Sequence, residues 1–417
     1  MKMQRQTGVG ILPDEPVKHK KRRWRSALIG CGCIAPMHVQ SLARMDYVDL
    51  VAVVDPLIDQ ARSIAEIWKA DTLYRDTSEK PAVYETIEQM LSEIKPDLVH
   101  ICTPHHLHAV QAAEALSQGC HVLLEKPCGI SLDDIERLHH AGLKSGRQIG
   151  ICFQNRYNKA SLDAWVLMQS GLMGQVKGGR AILMWNRDQT YYNQADWRGR
   201  WHTEGGGVMI NQAIHTLDLL LWLTGRPVRV NGQYSQRRDG LQIEVEDTAE
   251  CLIELDNGAK TSFYATNAYV TDAPPLIEVL TDAYRLKLEG DSFDLFSQQG
   301  HLLTASQKDE LLIHAARILE EKCSLSDQAA ASASSAFWLK TWRTYGADSN
   351  QLTQGPAADK AYWGQGHARL IASFYDSLDE WQPGRSVFPI DQSEGSIALR
   401  ALLALYESHR QHQTVDL

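Results

Sequence analysis

A glycine-rich loop between a short apolar run and a helical pattern is the feature that most constrains the fold. The run at 26–29 leads directly into Gly-Cys-Gly-Cys-Ile-Ala at 30–35, which fits the pattern G-x-G-x-x-A. Small residues there let the backbone approach a pyrophosphate, whose charge the following helix N-terminus stabilises. Asp55 ends the next apolar run, where a carboxylate would bind the adenosine ribose and repel a 2′-phosphate. The spacing therefore predicts a dinucleotide site that prefers NAD to NADP.

Beyond that loop, short apolar runs alternate with longer stretches whose apolar residues recur at helical spacing. The predicted strands are 26–29, 48–54, 98–103, 122–124 and 149–153. The helices predicted between them include 58–69, 107–118 and 132–144. Ser131 is expected to cap the last of these. Right-handed crossovers then give a doubly wound parallel sheet, so 25–150 is predicted to be an α/β Rossmann domain that binds NAD.

After about residue 150 the pattern changes to longer strand candidates. These candidates are 180–185, 249–255, 260–265, 276–280 and 284–288. Asn257-Gly258 joins two of them and is a strong hairpin signal. We therefore predict an α+β domain over 151–390, with a large, mostly antiparallel open sheet for substrate binding and oligomerisation. Further expectations are a helix at 308–322, a loop in the Ala/Ser-rich stretch 326–335, and a helical pattern over 387–409 that forms a C-terminal helix within 391–417.

Composition excludes several classes of protein. A net charge of −9 argues against a nucleic-acid binder, because such proteins concentrate Lys and Arg on their working surface. The basic run at 18–25 is interpreted as part of a flexible, solvated tail over 1–24. No apolar stretch has the length of a membrane span. The eight cysteines include no C-x-x-C pair, so we expect reduced thiols, a cytoplasmic location and no metal site.

Two segments that follow predicted strands carry reactive side chains. The residues after one strand are Thr103, Pro104, His105 and His108, and those after the next are Glu125, Lys126 and Pro127. The carboxyl ends of the strands in such a sheet face the ligand crevice. A lysine directly after a buried strand is therefore expected to face this crevice and not the outer surface. The alternative for Lys126 is a salt bridge at a helix start.

A third segment, 205–218, has three glycines followed by a helical pattern. The pattern places Asn211, His215 and Asp218 on one stripe, at spacings of four and three. On such a stripe, the amide of Asn211 and the titratable imidazole of His215 would lie next to each other. Alternatively, Asn211 caps the helix and His215 is a core histidine with a hydrogen-bond partner.

Together these motifs resemble the Gfo/Idh/MocA oxidoreductases, a family named for glucose-fructose oxidoreductase and inositol dehydrogenase. The resemblance rests on the glycine loop, Asp55, Thr103-Pro104, Glu125-Lys126-Pro127 and 205–218, and it extends from Arg25 to the C-terminal helix. It implies hydride transfer between NAD and a secondary alcohol of a sugar, cyclitol or sugar derivative. Lys126 would orient the substrate oxygen, and His215 would exchange its proton.

The motifs and the family resemblance together predict which residues bind the cofactor and which bind the substrate. The expected cofactor-binding residues are Gly30, Gly32, Cys33, Ile34, Asp55, Thr103, Pro104, His105, His108, Glu125, Lys126 and Asn155. The expected substrate residues are Lys126, Arg156, Trp197, Arg198, Asn211 and His215, of which Lys126, His215 and Asn211 would be catalytic. Asn211 occupies a position that is often Asp in the family. Because an amide cannot stabilise an imidazolium as a carboxylate would, Lys126 is expected to share the proton transfer.

Three other functions are compatible with the same motifs. The Asn-Gln pair before His215 also resembles a branch that oxidises position 3 of nucleotide-linked amino sugars. A redox glycosidase would hold NAD tightly and use it to oxidise, eliminate and re-reduce. A non-catalytic regulator would bind the dinucleotide without hydride transfer. The open sheet expected in the second domain also predicts a homodimer or homotetramer.

Overall fold

The computed structural model describes residues 22–72, 79–325, 329–346 and 361–417. Two sheets, one of six strands and one of eight, organise these residues. Most of the tail predicted over 1–24 lies outside the described residues, and its last residue, Trp24, belongs to the first strand. Within the described ranges, no helix combines the length and apolar character that a bilayer crossing requires.

The first sheet is parallel, with the strand order β3-β2-β1-β4-β5-β6. Its strands are β1 (Trp24–Ile29), β2 (Val48–Val54), β3 (Ala82–Tyr84), β4 (Leu98–Ile101), β5 (His121–Leu124) and β6 (Ile149–Ile151). Its helices are α1 (Ala35–Ala43), α2 (Ile58–Asp71), α3 (Ile87–Ile94), α4 (His108–Ser117) and α5 (Leu132–Ser145). This strand order is that of a doubly wound Rossmann sheet, which confirms the predicted α/β fold. The sequence analysis missed β3 because three partly exposed residues are too few to show a period.

Local sequence explains how these elements begin and where their ends meet. The Ser131 hydroxyl accepts a hydrogen bond from the Asp134 backbone nitrogen at 3.1 Å, so it caps α5 as predicted. Strands β4 and β5 are buried along their whole length, as expected for parallel strands covered by helices on both faces. Since the strands are parallel, the segments that follow β1, β2, β4, β5 and β6 meet at one edge of the sheet.

The second sheet is mostly antiparallel, with the order β13-β12-β11-β7-β10-β9-β8-β14. Its strands are β7 (Val176–Met184), β8 (Pro227–Ser235), β9 (Thr248–Leu255), β10 (Lys260–Thr266), β11 (Leu276–Thr281), β12 (Tyr284–Glu289), β13 (Ser292–Ser297) and β14 (Val415–Asp416). The remaining helices are α6 (Lys159–Ser170), α7 (Gln189–Tyr192), α8 (Ile214–Thr224), α9 (Ala305–Leu325), α10 (Ala329–Tyr345), α11 (Ala361–Leu378) and α12 (Ile397–Gln411). The predicted α+β fold and the hairpin between β9 and β10 are confirmed. One face of the sheet exposes Leu252 and Tyr264, and the predicted oligomer stays a prediction.

Two sequence-based expectations about the C-terminal part were wrong. The stretch expected to be a loop at 326–335 contains the start of α10, because alanine is the best helix former and the run continues into an apolar pattern. The final helix begins at Ile397 and not near 387. Pro389 lies in that interval, and the Asp391 carboxylate accepts hydrogen bonds from the backbone nitrogens of Ser393 and Glu394, which favours a turn.

The end of the chain contacts both sheets. Helix α11 packs against α1 of the Rossmann layer, and α12 packs against β8 of the second sheet. A buried hydrogen bond of 2.5 Å between the hydroxyls of Ser26 and Tyr375 joins β1 to α11. The predicted limits of the two domains stay predictions. Helix α11, although it lies late in the chain, packs against the Rossmann layer.

Candidate active site

The loop between β1 and α1 forms an open cradle. Gly30 has a φ of +87°, and a Cβ there would lie 2.7 Å from backbone atoms of Cys102 and Thr103, so only glycine lets the loop pass the end of β4. At Gly32, no heavy atom of the described residues, apart from the glycine itself and its two chain neighbours, lies within 4 Å of the position that a Cβ would occupy. Ile34 provides no side-chain cap for the first turn of α1. Backbone facing open space at an uncapped helix start fits a dinucleotide pyrophosphate.

Asp55 is held rigidly at the carboxyl end of β2. Its Oδ2 accepts a hydrogen bond from the Cys31 backbone nitrogen, and its Oδ1 accepts one from that of Leu57, both at 2.8 Å. Each carboxylate oxygen keeps a further acceptor site, so Asp55 can still bind ribose hydroxyls. Cys33 is an exposed residue of the same loop.

The segment after β4 connects the Rossmann layer to the second domain. Thr103 and Pro104 are half-buried at the strand end. His105 lies deeper, where its Nδ1 is 2.9 Å from the Glu204 carbonyl oxygen. Burial lowers the pKa of His105 well below its usual range, so the ring is neutral and can donate this hydrogen bond.

His108, expected to bind the cofactor, has both ring nitrogens occupied within the chain. Its Nδ1 lies 2.6 Å from the Pro127 carbonyl oxygen, and its Nε2 lies 2.7 Å from that of Thr103. The imidazole therefore ties the segment after β4 to the segment after β5. These contacts give His108 a supporting position, and its expected role in cofactor binding stays a prediction.

Lys126 reaches from the end of β5 to the second domain. Its Nζ donates a hydrogen bond to the Asn211 backbone oxygen at 3.0 Å. Burial lowers the pKa of Lys126, while the neighbouring Glu125 and Glu204 oppose that shift. Two segments 85 residues apart in sequence are thus brought into direct contact.

His215 lies at the start of α8, one turn beyond Asn211. Residues Met209–Ala213 form a π-helical turn, so the regular helical stripe expected from the sequence is locally widened, as is common at functional sites. The Nε2 of His215 is 3.5 Å from the Gln154 side-chain nitrogen, and its buried Nδ1 has no hydrogen-bond partner among the described residues. Burial, assisted by the Lys126 charge, lowers the pKa of His215 well below its usual range. The imidazole is therefore neutral, so one of its ring nitrogens carries a lone pair and the other a hydrogen.

Aromatic and cationic side chains line the next part of the site. The half-buried Trp197 ring lies 4.8 Å from that of His105. The Arg198 guanidinium stacks on the Tyr191 ring at 4.1 Å, and its buried Nε has no hydrogen-bond partner within the described ranges. Asn155 is half-buried in the short 3₁₀ turn Gln154–Tyr157.

Comparison with known families matches both halves of the chain. The NAD-binding Rossmann-fold model of the GFO/IDH/MocA oxidoreductases covers residues 24–153, and the model of their C-terminal domain covers 162–286. The chain belongs to the Gfo/Idh/MocA oxidoreductase family. As a Gfo/Idh/MocA member it is an oxidoreductase with an NAD-binding Rossmann fold.

Named relatives and solved structures agree with this membership. The chain is 27% identical to D-glucoside 3-dehydrogenase of Escherichia coli K12 over 265 residues, which are 57% of this chain and 70% of that protein. The WlbA dehydrogenase of Bordetella pertussis, solved with NADH and UDP-GlcNAcA, superposes with a TM-score of 0.71 at 24% identity, covering 95% of this chain and 98% of that one. Levoglucosan dehydrogenase with NADH and levoglucosan gives 0.71 at 18% identity, covering 95% and 99%. These likenesses show the same Gfo/Idh/MocA fold.

Arg156, expected to bind substrate, is committed elsewhere in this Gfo/Idh/MocA protein. It is 2% exposed and donates to both carboxylate oxygens of Asp218 at 2.8 and 2.6 Å. Its third nitrogen donates to Glu394 at 2.9 Å. With its guanidinium nitrogens used and its surface buried, Arg156 ties α8 to the Gln154–Tyr157 turn and is not proposed as a substrate contact.

Glu125 lies beneath the site and not on its surface. Its Oε1 is 3.0 Å from His38 Nε2 and 3.4 Å from His367 Nε2, and His38 Nδ1 is 2.8 Å from His100 Nδ1. Burial opposes ionisation, but the hydrogen bonds from the two histidines hold the pKa of Glu125 well below its usual range. The spacing of His38, Glu125 and His367 would also suit a metal ion, although the sequence analysis expected none. The hydrogen bond between His38 and Glu125 and the 3.4 Å contact of His367 with the same carboxylate oxygen account for the arrangement, so we assign the cluster a supporting role.

Sequence reasoning missed several residues of this Gfo/Idh/MocA site. Glu204 is 1% exposed, and burial raises its pKa to about 7. Its position directly before the three glycines was a usable signal. Tyr191 had no motif around it, and Gln154 directly precedes Asn155 and Arg156, which were expected at the site. His367 belongs to a helix far along the chain, and only the packing of α11 against α1 brings it to Glu125.

Proposed function

We propose that this protein oxidises or reduces a secondary alcohol of a sugar, cyclitol or sugar derivative with NAD, and that Lys126 and His215 act at the carbinol. The observation that carries the proposal is the 3.0 Å hydrogen bond from Lys126 Nζ to the backbone oxygen of Asn211. It brings the ammonium of one domain to the helix that presents the imidazole of the other. The substrates named for the relatives, a glucoside and levoglucosan, support the substrate class.

Residues of the first domain would hold the cofactor. The loop containing Gly30 and Gly32 would bind the pyrophosphate, and Asp55 would bind the adenosine ribose. Bound NAD would accept hydride when the alcohol is oxidised, and NADH would donate it in the reverse direction. Side chains cannot carry out this hydride transfer themselves.

Side chains would transfer the hydroxyl proton of the substrate and stabilise the charge on its oxygen. Lys126 has two further N–H groups beyond the one used by Asn211, and these can donate to the carbinol oxygen and stabilise negative charge that develops on it. The neutral His215 can accept the hydroxyl proton. Trp197 offers an apolar face to a sugar ring, and the half-buried Arg198 guanidinium carries N–H groups that can donate to ring oxygens.

The test is a panel of inositols, monosaccharides, glycosides and nucleotide sugars, followed by absorbance of reduced nicotinamide. His215→Ala should lower kcat about 100- to 10,000-fold and leave NAD affinity nearly unchanged, because general-base catalysis contributes rate enhancement of that size. His139→Ala, which removes an exposed histidine of α5, is the matched control and should retain full activity. Near-normal turnover of His215→Ala would remove His215 from the mechanism.

The same panel distinguishes the other functions. Turnover of glycosides without added NAD, with cofactor retained through purification, would favour the redox glycosidase. Selective oxidation of nucleotide sugars would favour the 3-dehydrogenase of nucleotide-linked amino sugars. NAD binding without hydride transfer to any compound would favour a regulator and refute the proposed function.

A further inference from the structure

The phenol oxygen of Tyr191 accepts two hydrogen bonds from amides. Asn211 Nδ2 donates at 3.2 Å and Gln212 Nε2 donates at 2.8 Å. A second contact fixes the orientation of each amide. Asn211 Nδ2 also donates to Glu204 Oε1 at 2.5 Å, and Gln212 Oε1 accepts from Asn267 Nδ2 at 2.9 Å. Both amides therefore present N–H groups to the phenol.

A phenol oxygen that accepts two hydrogen bonds can still donate one hydrogen bond through its own O–H group. None of the described residues accepts a hydrogen bond from the Tyr191 hydroxyl, whereas the Tyr191 backbone nitrogen donates to Asp188. Burial raises the pKa of Tyr191 to about 12, although the Arg198 charge opposes the shift. The phenol is therefore protonated at neutral pH, and its hydrogen is available to an acceptor other than the described residues.

Tyr191 adjoins the groups proposed to act on the carbinol. The Asn211 that donates to the phenol also accepts the Lys126 ammonium on its backbone oxygen, and His215 follows one turn later. Arg198 stacks on the Tyr191 ring and donates to the Tyr191 backbone oxygen at 3.2 Å, which fixes the ring in place. The phenol is thus held in place against Asn211, the residue that also contacts Lys126.

We propose that the Tyr191 hydroxyl donates a hydrogen bond to a ring hydroxyl adjacent to the carbinol, and so selects pyranosides or cyclitols that carry this hydroxyl. The inference rests on the proposed function, because Lys126 and His215 mark the carbinol. A second fixed contact beside the reacting carbon would orient the ring for hydride transfer, and a site built to bind a hydroxyl discriminates strongly against an analogue that lacks it.

The experiment measures kcat/KM of wild type and Tyr191→Phe on methyl β-D-glucopyranoside and its 2-, 4- and 6-deoxy analogues. If another ring of the panel reacts faster, that ring and its monodeoxy analogues replace the glucoside. In the wild type, one analogue should be about 10- to 100-fold poorer than the parent. Tyr191→Phe should lose a similar factor on the parent and no longer distinguish that analogue. An equal loss on the parent and on every analogue would overturn the proposal, because it would mean that Tyr191 only supports the amides.

Tyr192→Phe is the matched control. Tyr192 is the buried neighbour whose hydroxyl contacts Asn267 at 3.4 Å, and its removal should leave the ratios among the analogues unchanged. NAD affinity, measured by fluorescence titration, should be equal in all three proteins. A wild type that oxidises no ring overturns the proposed function together with this inference. An active wild type whose ratios Tyr191→Phe preserves overturns this inference alone.

Discussion

Asp218→Asn should destabilise the protein without changing how it binds substrate. Asp218 and Arg156 form a bidentate ion pair in which each side chain is 2% exposed. Removing one partner of such a buried pair costs about 3–5 kcal/mol, because the other charge stays buried without compensation. Here Arg156 keeps its contact with Glu394, so we expect a loss near 3 kcal/mol, the lower end of that range.

Urea unfolding followed by tryptophan fluorescence measures this loss. Trp222, one of eleven tryptophans that contribute to the signal, has its ring 5.2 Å from the Arg156 guanidinium. The midpoint should fall while the slope stays constant, since the mutation does not change the surface exposed on unfolding. Arg156→Met combined with Asp218→Leu is the control. The double variant removes both charges and should recover much of the stability lost in Asp218→Asn.

Either of two results would refute the reasoning. A loss below about 1 kcal/mol would mean that the pair is solvated as a surface pair is. Unchanged stability with a selectively raised KM would mean that Arg156 binds substrate after all, as the sequence alone suggested.

Two further predictions concern the cofactor and pH. Asp55→Ala should shift the NAD to NADP ratio of kcat/KM toward NADP by about tenfold or more, and an unchanged ratio would contradict the role of Asp55. Burial raises the pKa of Glu204 from 4.5 to about 7. The folded protein therefore retains a proton that the unfolded chain loses between these values, so stability should fall as pH rises from about 4.5 to 7 and level off above 7. Glu204→Gln should flatten this decline by roughly 3 kcal/mol, measured as the difference in unfolding free energy between pH 4.5 and 7; an identical pH dependence in both proteins would disprove it.

The Rossmann half was readable from the sequence because its signals are local. Apolar runs, the glycine loop and Ser131 each depend on neighbours within a few residues, and all three were located correctly. Short or weakly periodic elements were not. Strand β3 has three residues, and α10 begins in an alanine-rich stretch whose helical propensity was read as loop composition.

The sequence by itself determined which residue types stand at the ends of the buried strands, and so it determined the dinucleotide loop, Lys126 and His215 as candidates. Only the tertiary structure decided what each side chain contacts. It paired Arg156 with Asp218, enclosed Glu125 between two histidines, and left the Tyr191 hydroxyl with a hydrogen to donate. Those outcomes depend on contacts between segments far apart in the chain, and local sequence patterns carry no information about which distant groups will fill the hydrogen-bonding sites of a buried polar atom.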